Sequence, residues 1–328
     1  MRSQLYTLGG FKAAFAVAHL LPRPAAQALA AFVGRLAYRR KADAQAALRA
    51  NLQLVTGLRG PALDALCAEN VANFSRMLAD YFLCAGADAA RRCDALIEGW
   101  SGFENLTAAR DAGRGTIVVT GHLGHWELGG LVLARRGLPL TVITLEEPST
   151  GLTRWREACR RRLGIKTIAV GPGHPFAFVE MIQTLRRNEL LAMLVDRPYA
   201  GTGAPVRLFG HETEFSTAPA LLAQHTGAAV LPAFVLRQPG GRYVSVAEPI
   251  VPMPATTDPR ADLTANTQRV ATAFESIIRQ HPAQWFQYVP IWSQNEPARA
   301  SASAATGCPR GGGTCADARR PRAGWSGR

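Results

Sequence analysis

Two histidines and a glutamate stand within six residues of one another in TGHLGHWELGG, residues 120–130. An imidazole can take a proton from a hydroxyl while a carboxylate accepts a hydrogen bond from its other ring nitrogen. Five residues from His122 to Glu127 is a poor spacing for one face of a regular helix. It works if His122 lies before a helix and Glu127 in its first turn. The same side chains also read as H-x-x-H-x-E, a possible metal set with His125 as the second ligand and His211 as a fourth, since zinc accepts His and Glu. No His-Glu-x-x-His zincin pattern is present. A third reading makes all three residues ordinary caps of a turn.

The flanks say which elements must position these groups. GTIVV before the motif is a buried-strand pattern, and LGGLVLARRG after it is helical. Gly121 and Gly124 permit a tight corner and close backbone approach. In open α/β sheets, reactive groups collect where strands end and helices begin. Helix N-termini there offer free N–H groups to an oxyanion or phosphate.

Short β-rich runs recur at 116–120, 140–144, 167–170, 190–195, 228–237 and 242–247. Helical stretches at 126–136, 152–163, 175–187, 217–225 and 264–280 fill the gaps. This alternation implies an α/β fold with a mostly parallel central sheet flanked by helices. QPGG between the last two runs implies an antiparallel hairpin. Residues 1–100 read as a helical N-terminal region, 101–296 as the α/β domain, and 297–328, rich in Ala, Gly, Ser and Arg, as a disordered tail.

The 328 residues carry a formal net charge of +13 and are 48% hydrophobic, so a sizeable core is possible. Six arginines against one aspartate in the tail account for part of the excess, leaving about +8 elsewhere. The basic run TRWREACRRR carries Arg154, Arg156, Arg160, Arg161 and Arg162. It reads either as a phosphate site or as a solvated helix face. It lacks the interleaved aromatics that a nucleic-acid site wants, so no nucleic-acid partner is expected. Six cysteines show no paired metal spacing and read as reduced packing residues. No run of about 18 apolar residues supports a spanning helix. The N-terminal stretch has some features of a secretory signal, but Lys12 and His19 interrupt it. Leu29, Phe32, Val33 and Leu36 fall at helical spacing with Arg35 and Arg39 beside them. That pattern suits a helix lying on an anionic membrane surface, or an ordinary helix packed on its own domain.

GTIVVTGHLGHWELGG resembles the central motif of the bacterial lipid A biosynthesis acyltransferases, a branch of the lysophospholipid acyltransferase superfamily with an HX4E motif. Gly121, His122, Gly124, Trp126 and Glu127 match, while Leu123 and His125 replace the usual Phe and Asn. ALRANLQLV matches the early Asn-Leu segment at Asn51 and Leu52. LLAMLVDRP matches at Asp196, with Arg197 for the usual Gln. VRLFGHETEFSTAPALLAQHTGAAVLP matches at Phe209, Gly210, Thr217 and the following Thr-Gly-Ala strand. HPAQWFQYVPIW matches the closing Gln-Trp segment at Gln284 and Trp285, without the basic residues usual after it.

The resemblance implies acyl transfer from an acyl-carrier-protein or acyl-CoA thioester to a hydroxyl of a membrane glycolipid or lysolipid, with lipid A-type late acylation foremost. It implies His122 as base and Glu127 as its orienting partner. Gly124, Arg154, Asp196, Arg197, Arg207, Phe209, Gly210 and Thr217 become substrate-binding candidates, with amides near Gly124 as the oxyanion site. No cofactor and no metal are needed for this chemistry. The implied location is peripheral, on the cytoplasmic face of the inner membrane, with that membrane surface as a partner. A metal-dependent hydrolase using His122, His125 and Glu127, and a non-catalytic lipid binder of the same fold, are the alternatives.

Overall fold

The computed structural model describes residues 8–86, 88–145, 150–171, 173–198 and 201–292. Its chain opens with five helices, α1 (Leu8–Leu20), α2 (Arg23–Tyr38), α3 (Ala42–Thr56), α4 (Gly60–Leu83) and α5 (Ala89–Leu96). Proline in the first turn starts α2 and α4, where its missing N–H costs no helical bond. Gly57, left-handed at φ 71°, ends α3.

Strands and helices then alternate: β1 (Ile97–Ser101), α6 (Phe103–Asp111), β2 (Thr116–Thr120), α7 (Trp126–Arg135), β3 (Leu140–Leu145), α8 (Thr150–Arg162), β4 (Ile165–Val170), α9 (Ala177–Arg186) and β5 (Leu190–Leu194). A hairpin of β6 (Gly203–Leu208) and β7 (His211–Ser216) follows. The chain continues through α10 (Ala218–Thr226), β8 (Ala229–Arg237), β9 (Tyr243–Ala247) and α11 (Pro259–Gln280) to a 3₁₀ turn at Pro282–Gln284.

Seven strands form the central sheet in the order β1-β9-β8-β2-β5-β3-β4. Only β8–β9 is antiparallel, as the QPGG turn implies, so the expected mostly parallel α/β fold with a helical N-terminal region is what the chain builds. Met1–Glu296 forms one compact unit. The expected tail, 297–328, lies outside the described residues.

Sequence reading missed two features. β1 is a short, half-buried edge strand holding a glycine, too weak a pattern to stand out. The β6–β7 hairpin alternates polar and apolar residues and carries Pro205. Its turn places Phe209 and Gly210 both at positive φ (51° and 79°), the arrangement a two-residue hairpin turn demands.

β2 shows why the sheet needs helices on both faces. All five of its residues are buried. Ile117 and Val119 face one apolar cluster with α9, α10 and α11, and Val118 faces another with α6 and α7. Full burial of such a side chain is worth about 1.5–3 kcal/mol. A third cluster joins α1, α4 and α8 through Phe11, Tyr81, Phe82, Leu152 and Trp155. Cys67, Cys84, Cys93 and Cys159 are buried and free. Among the described residues, no helix is long and apolar enough to cross a membrane.

Candidate active site

His122 stands at the carboxyl end of β2, between β5 and β8 in the middle of the sheet. Two glycines make the corner possible. A Cβ on Gly121 would lie 2.9 Å from Asp196 Oδ2, and one on Gly124, at φ 64°, would lie 2.1 Å from the Val235 carbonyl oxygen. A side chain at Gly124 would force the backbone to move, and one at Gly121 would displace the Asp196 and Phe274 side chains. The Val235 carbonyl instead accepts from the His125 amide at 2.7 Å, pinning the loop to β8. The His122 carbonyl accepts from Phe286 N, and Leu123 bridges to Trp285, so the closing segment is part of the corner.

The partner of His122 is Asp196, two residues beyond β5. Nδ1 of His122 lies 2.8 Å from Asp196 Oδ1, and the His122 amide donates to Asp196 Oδ2 at 2.9 Å. Gln287 Nε2 donates to the same Oδ2 at 2.6 Å. Burial works to raise the Asp196 pKa. The His122 charge and hydrogen bonds, with Arg197 nearby, outweigh it and hold the carboxyl below its ordinary value. Asp196 thus fixes the ring so that Nε2 is the nitrogen left for a substrate.

Glu127 does not make the pairing expected of it. Its Oε1 accepts from Arg156 Nη2 and, at 2.8 Å, from Arg160 Nη2. Burial alone would raise its pKa, but the two guanidiniums carry it down to about 2. The physical reason is that α8 lies beside the first turn of α7 and offers permanent charge, against which an imidazole cannot compete. Arg156 and Arg160 stand one helical turn apart, so the run TRWREACRRR holds a structural clamp on one face. The run itself was legible in sequence, but its target was not.

His125 is the N-cap of α7. Its Nδ1 accepts from the Leu128 amide at 3.2 Å, and its ring meets Tyr243 edge-on at 5.3 Å. Burial lowers its pKa to about 4, so it is neutral near pH 7. His122, His125 and Glu127 therefore go to three different partners. Among the described residues, no group of three His, Cys, Asp or Glu side chains converges as metal ligands.

The other candidate residues divide. The Gly124 amide is already given to the Gln284 carbonyl and is not free for an oxyanion. The amides of Trp126 and Glu127, in the first turn of α7, have no intrahelical acceptor. Arg197 braces the closing segment, with Nε on Gln287 Oε1 and Nη2 on the Phe286 carbonyl. Gln287 had no sequence signal beyond its nearness to the Gln-Trp pair. Arg154 is exposed on α8. Thr217 caps α10 and bonds the Thr202 carbonyl. Phe209 and Gly210 form the tip of the β6–β7 hairpin, roughly 17 Å of strand from its base beside Val195. There the Phe209 amide donates to Glu275 and Arg279 lies over the ring. Arg207 is exposed on the same hairpin, its amide held by Gln268. The structure does not bring these three residues to His122.

An apolar cavity of about 60 Å³, counted as room for the centres of water-sized spheres, runs between the sheet and helices α6 and α7. Thr120, two residues before His122, and Trp126, whose ring centre is 5.4 Å from that of His122, stand at one part of its lining. Gly129 and Gly130 of α7 also line it, as does Trp100, which stacks under Arg136 at 4.5 Å. Two successive glycines inside a helix cost about 2 kcal/mol relative to alanine. Here they let α7 pass close to the sheet while leaving the cavity open.

An imidazole held by a buried carboxylate at a strand-to-helix corner, beside an apolar cavity, suits proton transfer on an apolar substrate, and the class comes from likeness to known proteins. The model of the bacterial lipid A biosynthesis acyltransferases matches residues 8–294, and this chain belongs to that family. Among curated proteins, the phosphatidylinositol mannoside acyltransferase of Mycobacterium tuberculosis (strain ATCC 25618 / H37Rv) is 30% identical over 250 residues, covering 75% of this chain and 76% of that protein. The phosphatidylinositol mannoside acyltransferase of Mycolicibacterium smegmatis is 28% identical over 287 residues, covering 86% and 90%.

Proposed function

We propose that the protein transfers a fatty acyl chain from a phosphopantetheine thioester, on acyl carrier protein or coenzyme A, to a hydroxyl of a membrane glycolipid. The observation that carries this reading is the His122–Asp196 pair beside the apolar cavity. The family's description names lipid A biosynthesis, which favours lipid A-type late acylation as the reaction. The relatives' names point to a mannosylated phosphoinositide instead. Both acceptors offer a sugar hydroxyl to the same base.

In this mechanism Nε2 of His122 removes the acceptor proton as its oxygen attacks the thioester carbonyl carbon. Asp196 stabilises the imidazolium that forms. The oxyanion is met by the unpartnered amides at the start of α7, a contribution of about 3 kcal/mol in other oxyanion sites. Collapse of the tetrahedral intermediate breaks the carbon–sulfur bond. The thiolate takes the proton back from His122, leaving a thiol and a new ester. Glu127 keeps its charge against Arg156 and Arg160 throughout and holds α7 to α8. The cavity seats the first carbons of the acyl chain. A water takes about 10–15 Å³ by the same measure, so longer chains require lining side chains such as Trp100 to turn aside.

Access to a bilayer substrate falls to α1 and α2. Leu20, Leu29, Phe32, Val33 and Leu36 are exposed there, with Phe32 66% exposed. An apolar stripe with arginines beside it suits a helix lying in a membrane interface and supports the peripheral part of the proposed position. The test is mass spectrometry of membrane lipids from cells carrying wild type, His122→Ala or no protein. One glycolipid should shift by the mass of an acyl chain only with wild type. An unchanged glycolipid profile, together with no thioester consumption by purified protein and membrane extract, would remove this reading.

A further inference from the structure

A second cavity, of about 250 Å³, opens between α2, α3 and α4. Arg35 of α2 and Arg39, the C-cap of that helix, stand one turn apart along one wall, and Arg49 of α3 stands in the lining with them. Tyr38 and the buried Cys67 complete the lining used here, with Asp64 as the one carboxylate. Asp64 is already paired with Arg49. Among the described residues, no carboxylate lies within ion-pairing distance of Arg35 or Arg39. The cavity therefore carries two uncompensated guanidiniums. The positive field extends along α4: burial first, and then the charges of Arg237 and Arg35, press the Arg76 pKa below its ordinary value. Burial raises the Tyr38 pKa and keeps its hydroxyl protonated, but that hydroxyl is directed at the Gln45 carbonyl at 3.5 Å, so the guanidiniums are the donors the cavity offers.

A cavity with paired, planar, permanently charged donors is complementary to a phosphate. The neighbouring surface says where that phosphate comes from. Arg35 lies between Phe32 and Leu36 in sequence, and Leu29, Phe32, Val33 and Leu36 are all exposed on the same helix. A free phosphate has no use for an apolar stripe, whereas a lipid brings acyl chains and phosphate together.

We propose that the Arg35–Arg39 cavity is an anion site that takes the headgroup phosphate of an anionic membrane lipid, apart from the acyl-transfer site. The proposal does not rest on acyl transfer and is tested by binding alone. Full-length protein is sedimented with phosphatidylcholine vesicles, plain or doped with phosphatidylglycerol. Three forms are compared: wild type, Arg35→Gln/Arg39→Gln, and Arg40→Gln/Lys41→Gln. The last pair removes the same charge from adjacent exposed positions that do not line the cavity. Glutamine keeps helix propensity close to that of arginine, so melting temperatures should agree. If Arg35→Gln/Arg39→Gln nevertheless melts early, Arg39→Gln alone replaces it.

The cavity pair should weaken binding to doped vesicles about thirty-fold, at roughly five-fold per arginine near an anionic surface. The adjacent pair should weaken it several-fold less, and all three forms should bind plain vesicles alike. Equal losses for the two pairs would mean diffuse attraction and overturn the site. Inorganic phosphate supplies the remaining arm. If it raises the melting temperature of wild type but not of the cavity variant, while vesicle binding is equal, the site takes free phosphate and the lipid assignment is overturned.

Discussion

Asp196 and Glu127 are both low-exposure carboxylates near His122, yet each is held by different chemistry. Asp196 faces an imidazole, one backbone amide and one side-chain amide. Glu127 faces two guanidiniums. An imidazole changes charge during proton transfer, so a carboxylate beside it gains interaction energy as the imidazolium forms. A guanidinium does not change charge, so Glu127 has the same partners before and after. The residue that fits the motif by spacing is thus tied to α8, while the residue 74 positions from His122 holds the imidazole of the proposed base. Glu127 also ties the corner outward, because α8 carries Trp155, which packs against Phe11 of α1 and Phe82 of α4.

The sharpest break of this comparison is Asp196→Asn. It keeps the shape but withdraws the charge and disturbs the tautomer, so turnover should fall about 100- to 10,000-fold with the fold retained. His122→Ala should fall by a similar factor. Steady-state kinetics with thioester and acceptor, beside a melting curve, measures both. A near-normal rate in folded Asp196→Asn would return the orienting role to another group.

Glu127→Gln should act first on stability. Removing the charge leaves two low-exposure guanidiniums facing a neutral amide, a loss of about 3 kcal/mol by comparison with other broken buried pairs. The folded pKa of about 2 lies below the ordinary 4.5. The stabilisation is therefore complete above pH 4.5 and lost as pH falls toward 2. Denaturant titrations across that window should show a slope in wild type that is smaller in Glu127→Gln. Identical acid profiles would mean that the Arg156–Arg160 clamp adds nothing.

Gly129→Ala bears directly on the cavity. Its Cβ would meet Val235 Cγ2, a cavity-lining side chain, at a tight 3.3 Å, which offsets part of the helix-propensity gain of about 1 kcal/mol. The methyl lies against the cavity wall, and the preferred acyl chain should shorten. Competition between thioesters of graded length reads this out. An unchanged length profile would place the chain elsewhere.

The smallest expected effects are at His125 and the tail. Asn can cap α7 through Oδ1 as His125 does through Nδ1. His125→Asn should keep most activity, with a stability loss near 1 kcal/mol from the lost Tyr243 contact. Metal analysis of both forms accompanies the kinetics. Stoichiometric zinc in wild type, lost with turnover in the variant, would favour the hydrolase alternative. Truncation after Glu296 should leave melting temperature and turnover unchanged.

The strand, the corner and the following helix are local features, and the sequence alone determined them. TIVVT has only buried-strand residues, Gly121 and Gly124 mark the tight backbone, and LGGLVLARRG has helical character. The alternating β-rich and helical runs likewise determined a mostly parallel sheet. What His122 bonds to was decided by strand order. β5 lies beside β2, so the chain after Leu194 delivers Asp196 under the imidazole, and no local pattern encodes which strands become neighbours. The same holds for α8, whose arginines were visible as a charge run while their carboxylate, 29 and 33 residues away, was fixed by packing. Residue type and spacing set which chemistry a segment can do. Tertiary contacts decided which charges meet, because pairing depends on distance in space and on burial, neither of which a linear spacing carries.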